Sequence, residues 1–298
     1  LAQPLRIVRL ATATQPLSAG VFLADVRGAY RAHGLDVRIQ AYTTGKEALD
    51  AVITGEADLA TAAHTPLMHA VIAGERLSAW AVIGEARQGQ RIVARADRGI
   101  RDAADLAGKT MAAPHGTSAQ IFALNFLSYY GVDPATVTQV HGAADALAGM
   151  LTSGDVDAVC VWDPYASRAE HALGDAITLT QDSLYQYGWV LIGRPELGPT
   201  GAVDGILAAL LSVYPDLQTL DEADKAELAR RCGSPLDEFA VALATYHYRI
   251  ELDASLAVLL EGDAQLLYPD RWADRDFASV LDAVPLLRVD ASAVAVDW

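Results

Sequence analysis

The sequence predicts an α/β protein built from two mostly parallel sheets, each wrapped by helices. Three observations predict it. Short apolar strands alternate with helix-length runs from residue 5 to about 95, at the spacing of βαβ units. The rhythm restarts after residue 103. A helix–turn–strand–helix unit also occurs twice, once near residue 50 and again near residue 150.

The elements follow in order. Leu5 to Ala13 alternates apolar and polar residues and reads as a strand. Pro16 opens a helix to about His33, stopped by Gly34. Leu35 to Ala41 alternates again. Thr43, Thr44 and Gly45 form a turn and cap, and Lys46 to Ile53 is helical, ended by Gly55. Asp58 to Ala63 is a short buried strand. Thr65 then reads as an N-cap with Pro66 in the first helical position, in a helix reaching about Ala73. Strands are expected at Trp80 to Ile83 and Arg91 to Arg95. In the second series, Ala103 to Leu106 is a short helix and Thr110 to Ala113 a strand. His115-Gly116-Thr117-Ser118 is a loop, and Ala119 to Tyr130 a helix stopped by Gly131. Val137 to Val140 and Ala158 to Val161 are strands flanking a helix over Ala143 to Leu151. Pro164 starts a helix ending near Gly174, and Trp189 to Ile192 is a strand. Beyond Gly201 the chain turns almost wholly helical, with helices expected over 202–214, 222–232, 236–248 and 253–261.

The repeated unit aligns Ala48-Leu49, Gly55-Glu56-Ala57-Asp58 and Thr65-Pro66 with Ala146-Leu147, Gly154-Asp155-Val156-Asp157 and Asp163-Pro164. Any αβα unit needs a glycine stop and a proline start, which is one explanation. The other is two lobes of one design.

Composition bounds the function. The chain has 298 residues, enough for two domains and for a core that needs neither disulfide nor metal. Lys and Arg total 22 against 38 Asp and Glu, a net charge of −16. That argues against a nucleic-acid or anionic-membrane binder, which would need a basic face. Apolar residues make up 52% of the chain, so global disorder is excluded. No run of 18 apolar residues could span a bilayer. Cys160 and Cys232 form no metal-ligand cluster, and Cys160 reads as a small buried hydrophobe. No signal peptide is visible. Leu1-Ala2-Gln3 is compatible with the stub of a cleaved one.

In an open α/β sheet, ligands sit beyond the carboxyl ends of strands. Five segments qualify: Thr14-Gln15, Thr43-Thr44-Gly45, His64-Thr65, His115-Gly116-Thr117-Ser118 and Trp162-Asp163. The fourth suits an anion, because a glycine lets the backbone approach, and a helix start with two hydroxyls offers donors. Its alternative is a plain N-cap by Thr117 or Ser118. Asp163 is either an ordinary N-cap or a ligand group for a cation or donor. Trp162 offers an aromatic wall. Tyr185, Tyr187 and Trp189 are either packing or the apolar side of a pocket. Catalytic patterns are thin: there is no Gly-x-Ser-x-Gly elbow and no His-Glu-x-x-His.

These segments, in this order, resemble the periplasmic solute-binding proteins of ABC importers, in the nitrate, sulfonate, taurine and thiamin-pyrimidine-precursor group. The resemblance rests on Phe22-Leu23-Ala24 through Gly28-Ala29-Tyr30, His33-Gly34-Leu35-Asp36-Val37, Gly55-Glu56-Ala57-Asp58-Leu59 and Asp105-Leu106-Ala107-Gly108-Lys109. It continues through His115-Gly116-Thr117-Ser118-Ala119, Ser153-Gly154-Asp155-Val156-Asp157-Ala158 and Trp162-Asp163-Pro164-Tyr165. It implies a type II periplasmic-binding-protein fold with two lobes, 1–92 plus 191–298 and 93–190, joined by two crossing strands and closing on a solute. It also implies a periplasmic mature form, an ABC permease as partner, no cofactor and no catalysis, and a monomer is expected.

The first expected ligand is a small organic anion, a sulfonate or a taurine-like molecule. Its head would lie on Gly116, Thr117 and Ser118, with Thr44, Gly45 and Thr65 opposite, and a ligand amine would suit Asp163. The alternative is a pyrimidine thiamin precursor or other aromatic solute, stacked on Trp162 or a tyrosine with His64 and His115 as hydrogen-bond partners. A further alternative is an enzyme on the same scaffold, a desulfinase or a pyrimidine synthase. Both place cysteine in the site, and Thr14-Gln15 holds none.

Overall fold

The computed structural model describes residues 4–87, 89–180 and 184–295. The candidate stub Leu1-Ala2-Gln3 lies outside them. The chain divides into two compact units: one ends at Ala86 and resumes at Tyr187, and the other runs from Arg87 to Gln186.

In the first unit, β1 (Arg6–Ala13), β2 (Leu35–Tyr42), β3 (Leu59–Ala63) and β4 (Ser78–Ala86) build a sheet with β10 (Tyr187–Gly193), in the order β2-β1-β3-β10-β4. β1 runs parallel to β2 and β3, and β10 runs antiparallel to β3 and β4. In the second unit, β5 (Gln90–Arg95), β6 (Thr110–Ala113), β7 (Thr138–His141), β8 (Ala158–Trp162) and β9 (Ala176–Leu179) take the order β7-β6-β8-β5-β9. Here β6 runs parallel to β7 and β8, and β5 antiparallel to β8 and β9. The two sheets share one plan: three parallel strands, then an antiparallel strand that has just arrived from the other unit. The repeated sequence unit therefore marks two copies of one design. The borders at 86/87 and 186/187 stand beside the expected 92/93 and 190/191. Both expected points fall inside strands, and β5 and β10 each stay whole within one sheet.

Helices cover the sheets. The expected helix from Pro16 to His33 is divided. A 3-10 turn (Pro16–Ser18) leads into α1 (Ala19–Val26), and α2 (Ala29–Ala32) follows Gly28, whose φ of 68° interrupts the helix. α3 (Gly45–Thr54) opens with a capping box: the Glu47 N–H donates to Thr44 Oγ1 at 3.1 Å, and the Thr44 N–H donates to Glu47 Oε2 at 2.9 Å. α4 (His64–Ala73) starts directly from β3 with Ala63 as N-cap, so Thr65 lies inside the helix and does not cap it. In the second unit, α5 is Ser118–Tyr129, α6 is Leu147–Ser153 and α7 is Tyr165–Leu173. α6 begins later than expected, and β9 was not foreseen, because its four residues, three half-buried and one exposed, leave little periodic signal. The later helices are α8 (Ala202–Val213), α9 (Glu222–Arg231), α10 (Leu236–Thr245), α11 (Ser255–Leu267) and α12 (Val284–Val289). α10 stops at Thr245 because the chain then pairs with the outer edge of β4, at His247 and Glu251. That pairing closes an otherwise exposed sheet edge.

Leu10, Leu49, Leu59, Leu67 and Trp80 fill the first core, and Ile92, Val93, Phe126 and Val159 the second. Near-continuous apolar strands are what sheets buried on both faces require.

Candidate functional site

Parallel strands send their carboxyl ends to one edge, so loops far apart in sequence meet there. In the first unit that edge gathers Thr14-Gln15 after β1, Thr44-Gly45 after β2 and His64-Thr65 after β3. Antiparallel β10 enters at the same edge, where Trp189 pairs with Ala63 and Tyr187 with Ala86 of β4. The Thr14 N–H and hydroxyl both donate to Tyr42 O, at 2.8 and 3.2 Å, which ties the ends of β1 and β2 together.

His64 and Thr65 reach this edge but are wholly buried. Thr65 Oγ1 donates to Asp263 Oδ2 at 2.8 Å, and His64 Nε2 lies 3.1 Å from the same oxygen. His64 Nδ1 accepts the Gly188 N–H at 3.2 Å, so its proton sits on Nε2 and points at Asp263. The pair thus braces α4 against α11 and β10. Asp263 is one of the residues that sequence reasoning missed. Its signal was a carboxylate on the buried stripe Leu256, Leu260, Ala264 of α11.

Trp189 is 2% exposed, and its indole Nε1 has no hydrogen-bond partner among the described residues. The ring lies close over the start of α3: a Cβ on Gly45 would stand 2.8 Å from Trp189 Cη2. Gly45 is therefore needed for packing. An indole donor left buried and unmade is suited to an acceptor brought by a ligand.

The edge of the second sheet gathers His115 to Ser118 after β6, Trp162-Asp163 after β8, His141 at the end of β7 and Gln90 at the start of β5. His115 is exposed, and its ring lies 4.5 Å from that of His141. Gly116 takes a φ of 70° and donates its N–H to Gln120 Oε1 at 3.0 Å. Thr117 is the N-cap of α5 by position, yet its side chain makes no cap. Its hydroxyl donates back to Pro114 O at 2.7 Å. That corrects two expectations: neither hydroxyl caps the helix, and Thr117 has no proton left for an anion. Ser118 Oγ accepts from Gln90 Nε2 at 2.6 Å, which leaves the Ser118 proton for another acceptor. The start of α5 therefore offers one hydroxyl donor at the positive end of a helix.

Asp163 is not left for a ligand amine. It pairs with Arg91, and its Oδ1 also accepts the Ser167 N–H at 3.2 Å and the Ser167 hydroxyl at 2.9 Å. Arg91 further reaches Glu170 at 3.4 Å. Asp163 thus anchors α7 to β5. Trp162 is buried, edge-on to Tyr165 with ring centroids 6.1 Å apart. Gln90 and Arg91 were missed because the start of an alternating strand carries no motif.

Both cysteines are free and buried, and burial pushes both thiols far above their ordinary range. Cys160 donates to Ala119 O at 3.3 Å. Neither thiol has the thiolate character that a nucleophile needs.

The NMT1/THI5-like family model matches residues 15–192. A protein of Escherichia coli (strain K12) that carries the name of an aliphatic sulfonates-binding protein is 28% identical over 239 residues, which is 77% of this chain and 73% of that protein. The alkanesulfonate-binding protein SsuA from Xanthomonas axonopodis pv. citri, solved with MOPS, superposes with a TM-score of 0.78 at 21% identity, covering 99% of this chain and all of that one. The periplasmic aliphatic sulphonate binding protein SsuA from Escherichia coli gives a TM-score of 0.75 at 22% identity, covering 92% of this chain and 98% of that one. These relatives are solute-binding proteins rather than enzymes. The chain belongs to the NMT1/THI5-like family and has the α/β fold of the periplasmic binding proteins of the nitrate and sulfonate group.

Proposed function

We propose that this protein is the extracytoplasmic receptor of an ABC importer and binds a small organic sulfonate by hinge closure about the chain crossings at 86/87 and 186/187. The carrying observation is the start of α5, where Ser118 keeps a free hydroxyl proton while Thr117 leaves the helix uncapped. A sulfonate oxygen accepts from such a donor, and the helix end favours its charge. The names of the relatives supply independent support. The net charge of −16 does not oppose an anion, because local dipoles govern an enclosed site.

On this reading the Ser118 hydroxyl holds the anionic head, Gly116 lets the backbone come close to it, and His115 stands beside it. Thr14, Gln15, Thr44, Gly45, Tyr187 and Trp189 form the surface that the first unit contributes, with the Trp189 indole as a donor. Trp162 supplies apolar area for the tail. The permease would recognise the closed form, and no chemistry is done on the solute.

The test is a thermal-shift series with ethanesulfonate, MOPS, taurine, nitrate and an aminomethylpyrimidine. A ligand present at 100 times its Kd adds about 2.7 kcal/mol of stability. A clear rise with a sulfonate is expected. A rise with the pyrimidine alone, or with none of the five, would overturn the assignment.

A further inference from the structure

We infer that Gln90 makes the receptor selective for sulfonates whose tail carries a neutral hydrogen-bond donor close to the anionic group. The inference rests on the sulfonate-receptor reading and narrows it to a subclass of ligand.

Gln90 opens β5, opposite Trp162 of β8, and is only 4% exposed. Its Nε2 donates to Ser118 Oγ at 2.6 Å, at the first residue of α5. Its Oε1 is buried with no hydrogen-bond partner among the described residues. The two ends of this side chain therefore have different duties. The nitrogen donates to one Ser118 lone pair, which leaves the serine proton to donate to an anion. The oxygen, on the same carbon, is an acceptor still to be satisfied. An anion oxygen cannot satisfy it, because both are acceptors. A ligand that does so must place an O–H or N–H beside the group held by Ser118.

Asp163, after β8, does not compete for that donor. Asp163 already accepts from Arg91 and Ser167. The donor must also be neutral, since an ammonium would meet the positive end of α5. A hydroxyl or amide N–H fits, and a taurine ammonium fits less well.

A site with a buried acceptor penalises ligands that leave it unpaired, while a mere change of apolar size is penalised little. The expected discrimination is about tenfold or more between a hydroxyl and a methyl at the same position.

The experiment is isothermal titration of the full chain with 2-hydroxyethanesulfonate, ethanesulfonate and taurine, repeated on Gln90→Met. Wild type should bind 2-hydroxyethanesulfonate about tenfold tighter than ethanesulfonate, with taurine weaker than the hydroxy compound. In Gln90→Met the hydroxy-to-alkyl ratio should fall to about one, a change that loss of folding alone would not produce. A wild-type ratio below about two overturns the inference even when the variant does not fold. A tenfold ratio that survives Gln90→Met also overturns it. Sulfonates binding without discrimination defeat this inference alone. No sulfonate binding at all defeats the receptor reading and this inference with it.

Discussion

Gly45→Ala isolates the packing between α3 and β10. Gly45 has no positive φ to protect, so the cost is steric. A Cβ there would stand 2.8 Å from Trp189 Cη2, 2.9 Å from Ala62 Cα and 3.1 Å from Ala62 Cβ. Ala62 Cα belongs to a central strand, and the Trp189 ring is fully enclosed, so neither can turn aside. Overpacking of this kind costs about 1–3 kcal/mol, against a helix-propensity gain of at most about 1 kcal/mol. The expected net loss is about 1–2 kcal/mol, or roughly 2–8 °C in the melting point for a unit of this size. The same substitution at Gly262, in the exposed interior of α11, meets nothing within 4 Å. It should stabilise by about 0.5–1 kcal/mol. Both melts are followed by circular dichroism in one buffer, with urea unfolding as a second measure. Gly45→Ala at or above wild-type stability, or Gly262→Ala below it, would refute the steric reasoning.

Arg91→Met strands Asp163 and Glu170 in a half-buried site and should cost the second unit about 1–3 kcal/mol in urea unfolding, whereas Asp163→Asn should leave taurine affinity within a factor of about two. A large loss of taurine binding in Asp163→Asn would return that carboxylate to the ligand. Hydrogen bonds from Arg230 and Arg231 hold the Glu227 carboxyl down to about 2. A depressed folded pKa contributes stability above the unfolded carboxylate range and loses it as pH falls through about 2. The stability gap between wild type and Glu227→Gln should therefore be open at neutral pH, close in strong acid and narrow with added salt. A gap independent of pH would contradict the pairing.

What could be read from the chain alone was local. Leu5 to Ala13 and Leu35 to Ala41 alternate, and they are β1 and β2. Glycine at 55, 131 and 154 ends helices because only a residue without a Cβ enters the left-handed region cheaply. The punctuation at 55–66 and 154–164 repeats, and the two sheets do share one plan. The edges where candidate residues gather were also legible, because strands and helices in this order place the strand carboxyl ends together. The break at Gly28 was harder to see, since a helix can tolerate a glycine and only the tertiary packing of α1 and α2 fixes the bend.

The roles of polar atoms were not legible. Thr117 and Ser118 are adjacent hydroxyls at a helix start, equivalent in sequence. The fold gives the first to Pro114 and the second to Gln90, which arrives on a strand that begins 28 residues earlier. Asp163 looked available until Arg91 crossed from β5, and His64 and Thr65 looked like site residues until Asp263 came from α11. A hydrogen bond is short and directional, so its partner is set by which side chains the three-dimensional packing brings within 3 Å. Periodicity and punctuation depend on the backbone of one segment and can be read there. Partnership between distant segments was decided only when the sheets assembled.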